Sequence, residues 1–170
     1  VCLVAGCAKG PPATRIATHA EPGTVAVPGW HEASLEMGTD TRWYRLYVPP
    51  ALRERPAVLL FLHGGTRSMR ESFGEGAGGS REWVAIAREA GLLLVVPNGT
   101  NARTGDPQGD RQNWNDVRPP ARTGNPRADD VAFIDRLLDR VVRRFDADAR
   151  RIYVTGASNG GLMTYYLLMR

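Results

Sequence analysis

The chain has 170 residues, the length of one domain with a real core, and 42% of them are hydrophobic against 24% charged. Its net charge of +4 is carried almost wholly by arginine, with Lys9 the single lysine. The arginines are scattered and mostly sit beside acids (Arg136/Asp135, Arg140/Asp139, Arg150/Asp148). The absence of a basic stripe interleaved with aromatics argues against a nucleic-acid partner, and no run approaches the ~18 apolar residues of a membrane span.

Taken in chain order, the first feature is Leu3-Val4-Ala5-Gly6-Cys7. It ends an apolar run in small residues and a cysteine, and so resembles a bacterial lipobox. Residues 1–7 are therefore expected to be a signal-peptide remnant, with Cys7 the lipidation site that ties the protein to a membrane. The basic region and longer apolar stretch of a complete signal are missing upstream of Val1, which implies a clipped start. Residues 8–30, polar and rich in Pro and Gly, read as a tether, and 31–170 as the folded body. Cys2 would leave with the signal and Cys7 would be acylated, so the mature body has no disulfide. Its expected location is extracytoplasmic, secreted or lipid-anchored.

Strands are expected around Thr24–Val27, Ala33–Met37 and Arg42–Val48, the last closed by Pro49-Pro50. Ala57–Leu62 is a continuous apolar run between Pro56 and His63-Gly64-Gly65, the mark of a strand buried on both faces of a parallel sheet. A helix capped by Ser80 follows, with Trp83, Ile86, Ala87 and Ala90 on one face and Gly91 as its stop. Leu92–Val96 is a second buried strand. Residues 97–127 carry no periodic segment, and so long a loop in a compact domain is usually functional or disordered. Val131, Ile134, Leu137, Leu138, Val141, Val142 and Phe145 form a helical stripe whose N-terminus is capped by Asp129 or Asp130. Arg151–Thr155 is a third buried strand, and Gly161–Arg170 begins a helix apolar on most faces, with Met163, Tyr165, Tyr166 and Met169 expected in the core. This alternation is the pattern of an α/β fold, a mostly parallel sheet with helices on both faces.

Gly156-Ala157-Ser158-Asn159-Gly160 reads G-x-S-x-G between that third strand and the last helix, where a nucleophile elbow belongs. Ser158 is thereby the candidate nucleophile. The acyl oxyanion formed by its attack needs aimed donors. The backbone N–H of Asn159, at the head of a helix, supplies one. The loop His63-Gly64-Gly65-Thr66 supplies the other through Gly65 or Thr66. Both loops lie at the carboxyl ends of neighbouring strands, where open α/β sheets bind ligands. His63 precedes the loop it would have to reach across and is expected to orient it. Asp129 and Asp130 are expected to be helix-capping groups. Trp114 is assigned to line the substrate pocket, with packing on the core as the other reading. In elbow hydrolases the acid and the histidine follow the serine; only ten residues follow Gly160 and all three histidines precede it. The chain is thus read as the front part of a hydrolase.

From about Arg42 to Arg170 the chain resembles the polyhydroxybutyrate depolymerase/feruloyl esterase group of α/β-hydrolases. The matching segments are Leu59–Gly65, Val96-Pro97-Asn98-Gly99, Trp114-Asn115, Asp129–Ile134 and Arg151–Gly161. The resemblance implies an α/β-hydrolase fold, truncated here after the elbow helix. It also implies carboxylic-ester hydrolysis through an acyl-enzyme on Ser158, without metal or cofactor. The substrate would be a polyester, a feruloylated or acetylated polysaccharide, or a small ester, and the family's Asp and His positions lie beyond Arg170. Two rival readings remain open to the sequence. One is a non-catalytic envelope lipoprotein on the same fold. The other is a nucleotide-binding dehydrogenase turn at Thr155–Gly160, against which stand Leu162 in place of its third glycine and the two strand–helix units that come first.

Overall fold

The computed structural model describes residues 4–5, 27–74, 78–116, 118–119 and 128–170. Its strands are β1 (Val4–Ala5), β2 (Gly29–Met37), β3 (Asp40–Val48), β4 (Val58–Leu62), β5 (Leu93–Pro97), β6 (Thr100–Asn101), β7 (Gln112–Asn113) and β8 (Ile152–Gly156). Its α-helices are α1 (Glu82–Ala90), α2 (Asp130–Phe145) and α3 (Asn159–Leu168). Six strands form one sheet in the order β1-β8-β4-β5-β3-β2, and β6 and β7 pair separately. β4 runs parallel to β5 and β8, while β3 is antiparallel to β5, β2 to β3 and β1 to β8. The sheet is therefore mixed, and its parallel part is confined to β8, β4 and β5.

Burial explains that centre. Every residue of β4 and β5 is buried, as two-sided cover by helices requires of a parallel strand. On one face Leu60, Leu62, Leu93 and Val95 pack with Ile134, Leu137 and Val141 of α2 and Met163 of α3. On the other, Leu59, Phe61, Leu94 and Val96 pack with Ala87 of α1 and with Tyr47. The alternation of β3 serves both faces, since Tyr44, Leu46 and Val48 join the first cluster and Tyr47 the second.

Local signals set most boundaries. Gly91 ends α1 in the left-handed region at φ 62°, its N–H on the Ala87 carbonyl, the geometry that favours glycine there. Asp129 caps α2 by accepting from the Ala132 N–H at 2.9 Å. Other expectations need correcting. Ser80 does not cap α1: it falls inside a 3-10 turn, Gly78–Arg81, that runs straight into the helix, so the cap position belongs to Arg81. The 97–127 segment is partly structured, because β6 and β7 pair across it. α3 is buried on one flank only, with Tyr165 48%, Leu168 49% and Met169 67% exposed. Beyond β8 the described sheet holds only the two residues of β1.

Within the segment read as a signal remnant, Val4 and Ala5 pair with Val154 and Tyr153 of β8. Cys7, nearly all of the 8–30 tether and most of the strand expected at Thr24–Val27 lie outside the described residues.

One buried ion pair ties β3 to α2. Arg42 donates to Asp130 at 2.6 Å and to the Asn98 carbonyl at 3.1 Å, with its guanidinium 4.3 Å from the Phe133 ring centre. Burial pushes the Asp130 carboxyl upward, opposed by the Arg42 charge and the Asn115 N–H. Removing one partner strands the other charge in the core. Arg42→Met is expected to cost about 3–5 kcal/mol in urea melts. Arg42→Met combined with Asp130→Leu should cost less than Arg42→Met alone; a double variant less stable than the single one would contradict this account.

Candidate active site

The site forms where two parallel neighbours end together. Leu62 of β4 pairs in register with Gly156 of β8, so the loop His63–Thr66 and the turn Gly156–Gly160 leave the same edge side by side. The Ala157 N–H donates to the Leu62 carbonyl at 3.1 Å and locks the second against the first.

Both glycines of G-x-S-x-G are sterically required here. A Cβ on Gly160 would stand 2.1 Å from the Leu62 carbonyl oxygen and 2.5 Å from that of His63. A Cβ on Gly156 would stand 2.5 Å from the backbone of Gly160. With no side chains in the way, the turn closes tightly and forces Ser158 to φ 51°, ψ −116°. Such a backbone is costly for a residue with a Cβ and is held only by surrounding structure. Ser158 is exposed at the head of α3, and its Oγ has no hydrogen-bond partner among the described residues.

The glycine loop lies against this turn. A Cβ on Gly64 would be 3.8 Å from the Ser158 Cβ, and one on Gly65 would be 3.4 Å from the Asn159 Cβ and 2.9 Å from Asn113 Oδ1. The backbone N–H groups of Gly65 and Asn159 donate to no described residue. Thr66 differs. Its N–H is committed to the Gln112 carbonyl at 2.8 Å, which pins the loop to β7 and removes Thr66 as a free donor. In this loop Gly65 is thus the residue whose N–H has no acceptor among the described residues.

His63 is fully buried with both ring nitrogens occupied: Nδ1 meets the Gly64 carbonyl at 2.8 Å, and Nε2 accepts from the Gly99 N–H at 3.0 Å. Accepting at Nε2 places the proton on Nδ1. Burial lowers its pKa to about 4, with the Gly64 hydrogen bond opposing and Arg42 reinforcing the shift. It is a neutral strut for the glycine loop. His31 stands on β2, four strands away from β8, so neither described histidine is available to take the Ser158 proton.

Trp114 does not line an open pocket. It is completely buried, its ring is 4.8 Å from that of His63, and its indole N–H donates to the His63 carbonyl at 2.9 Å. Packing on the core, the other sequence reading, is what the fold adopts. Asp129 is a cap, as expected, while Asp130 is the buried partner of Arg42.

The sequence reading missed a polar network behind the elbow. Asn159 Oδ1 accepts from the Trp114 N–H at 2.8 Å, and its Nδ2 donates to the Trp114 carbonyl at 3.2 Å and to Asp116 Oδ2 at 2.5 Å. Asp116 is held from its other side by Arg118, through Nε at 2.9 Å to both oxygens and through the terminal nitrogen at 2.6 Å. Burial pushes the Asp116 carboxyl up, but the Arg118 side chain and amide and the Asn159 amide outweigh it and hold the group below the ordinary carboxylate range. Asn98 is also buried, accepting from the Met69 N–H and donating to the Pro107 and Gly109 carbonyls. No sequence spacing pointed to the Asn159 contacts, which join segments more than forty residues apart in the chain. Among the described residues no group of three or more His, Cys, Asp or Glu is placed to hold a metal.

Comparison with known proteins agrees with the fold. The chain is 31% identical over 128 residues to feruloyl esterase B of Neurospora crassa, a match covering 74% of the chain and 38% of that protein. Over this stretch the likeness supports a feruloyl esterase-like α/β-hydrolase family. The acetyl xylan esterase of Aspergillus awamori superposes with a TM-score of 0.56 at 18% identity, covering 81% of this chain and 46% of that one. The S-formylglutathione hydrolase of Agrobacterium tumefaciens gives 0.53 at 23%, covering 78% and 50%. These likenesses show the α/β-hydrolase fold. The chain therefore spans half or less of the length of the family members it matches, and no family model matches it.

The His63 strut makes stability depend on pH. The folded chain keeps the ring neutral down to about pH 4, whereas the unfolded chain binds a proton below its ordinary value of 6.5. The unfolded state thus holds more protons in that window, and stability falls as pH drops. Between pH 7 and pH 5 this group alone is expected to lower stability by about 2 kcal/mol. Urea melts of the protein and of His63→Gln at the two pH values check it. The variant should be weaker at pH 7 but lose distinctly less on acidification; equal losses would refute the assignment.

Proposed function

We propose that this chain carries the nucleophile and oxyanion hole of a serine carboxylic-ester hydrolase that works through an acyl-enzyme. Ser158 Oγ attacks the ester carbonyl, and the oxyanion that forms takes hydrogen bonds from the Asn159 and Gly65 N–H groups. Collapse expels the alcohol, and water then releases the acid. The observation that carries this reading is the meeting of three things at one sheet edge: an exposed serine in a strained backbone and two N–H groups with no other acceptor among the described residues. Trp114 acts from behind, through His63, and Thr66 by fixing the loop. The general base and its acid are to be sought outside the described residues.

The named relatives favour acetyl or feruloyl esters, with polysaccharide carriers such as xylan the first to be tried; small esters and polyesters follow. The Leu3–Cys7 pattern supports an extracytoplasmic protein anchored through a lipid on Cys7, which the mass of the mature N-terminal peptide would reveal; an unacylated Cys7 would count against it.

In the intact gene product, Ser158→Ala is expected to lower kcat on p-nitrophenyl acetate by on the order of a million-fold. The melting temperature should barely move, because alanine meets the same backbone strain as serine. A fluorophosphonate should label the native protein at Ser158 and leave the variant unmodified. Substantial turnover by the alanine variant would remove Ser158 from the mechanism. A native protein that is inert to both probes would favour the non-catalytic binding reading.

A further inference from the structure

We infer that Asp116 is a positioning residue for the oxyanion hole, an assignment that rests on the esterase reading for its catalytic meaning. The Asp116 side chain is fully shielded from solvent and makes its shortest contact, 2.5 Å, with the carboxamide of Asn159. That carboxamide also takes both main-chain groups of Trp114. It docks the head of α3 on the 112–116 segment much as a neighbouring strand would. From Trp114 the connection runs through the indole N–H to the His63 carbonyl, and from the His63 ring to the Gly64 carbonyl. One chain of buried hydrogen bonds therefore joins the residue that presents the first N–H donor to the loop that presents the second. Two donors on separate loops must hold a common geometry to within a fraction of an ångström to act on one oxygen.

At the end of this chain Asp116 is held as a carboxylate by its hydrogen bonds from Arg118 and Asn159. An acceptor there fixes the Asn159 amide so that Nδ2 faces Asp116 and Oδ1 faces the Trp114 N–H. Arg118, whose side chain is 35% exposed, covers the charge and matches it with a forked hydrogen bond. The buried charge is thus paired and saturated, and little of its field reaches the oxyanion.

The test is made on the intact gene product with Asp116→Asn, and with Val141→Ala in the far half of α2 as a control of general destabilisation. With p-nitrophenyl acetate, Asp116→Asn should lose roughly ten- to a hundred-fold in kcat while KM stays within about two-fold. Hydrogen exchange should quicken in residues 63–66, 112–116 and 158–160, which Val141→Ala leaves protected. If Asp116→Asn fails to fold, Arg118→Gln takes its place, with a smaller effect in the same direction. An unchanged kcat, a change confined to KM, or exchange that responds equally to Val141→Ala would overturn the assignment. A native protein without esterase activity would overturn the functional reading instead, and the exchange data would still decide whether Asp116 braces the two loops.

Discussion

The whole site depends on how closely two stretches of backbone approach each other. Gly160 presses its Cα against the Leu62 and His63 carbonyls at a distance that leaves no room for a methyl group. That approach seats α3 directly on the end of β4. The turn before it is then too short for ordinary dihedral angles, and the strain falls on Ser158. A serine on a longer, relaxed turn would present its hydroxyl with less definition and at a greater distance from the glycine loop. The same contact brings the head of α3, with the Asn159 N–H that has no described acceptor, against Gly64 and Gly65.

Backbone contact brings the loops together, but buried polar side chains fix their register. Asn98, His63, Asn159, Asp116, Arg42 and Asp130 are all buried, and each joins segments distant in sequence. Such groups are costly in a core unless satisfied, and these are bonded almost throughout. Arg42 Nε is an exception. The network replaces regular secondary structure in the loops after β4 and β5. Those loops have few ladder hydrogen bonds of their own, and side-chain amides and carbonyl contacts hold them instead. Their rigidity is what lets two separate N–H groups aim at one point.

Much of this was readable in the chain. Ala57–Leu62 and Leu92–Val96 announced the central strands because two-sided burial leaves unbroken aliphatic runs, and the stripe from Val131 to Phe145 announced α2 by its period. The paired glycine motifs pointed to this candidate site, because the close backbone approach at Gly156 and Gly160 leaves no room for a side chain. What stayed hidden was contact between remote polar groups. Asp116 and Arg118 look like any charged residues of a polar loop, and Trp114 gives no sign of whether its ring faces substrate or core. The Thr66 N–H could be assigned only once its acceptor on β7 was in view. Ser80 misled because a cap-type residue stands one position before the cap, inside a 3-10 segment that sequence period does not distinguish from a loop. The exposure of Tyr165 and Met169 is a matter of tertiary neighbours, which local sequence does not encode.

The most direct test of the central claim is a crystal structure of the intact gene product after reaction with an alkyl phosphonate that mimics the tetrahedral intermediate. The account predicts phosphorus bonded to Ser158 Oγ and one phosphonyl oxygen within hydrogen-bond distance of both the Asn159 and Gly65 N–H groups, with the Thr66 N–H still on Gln112. Phosphorus on another residue, or an oxygen that turns away from those two donors, would contradict it.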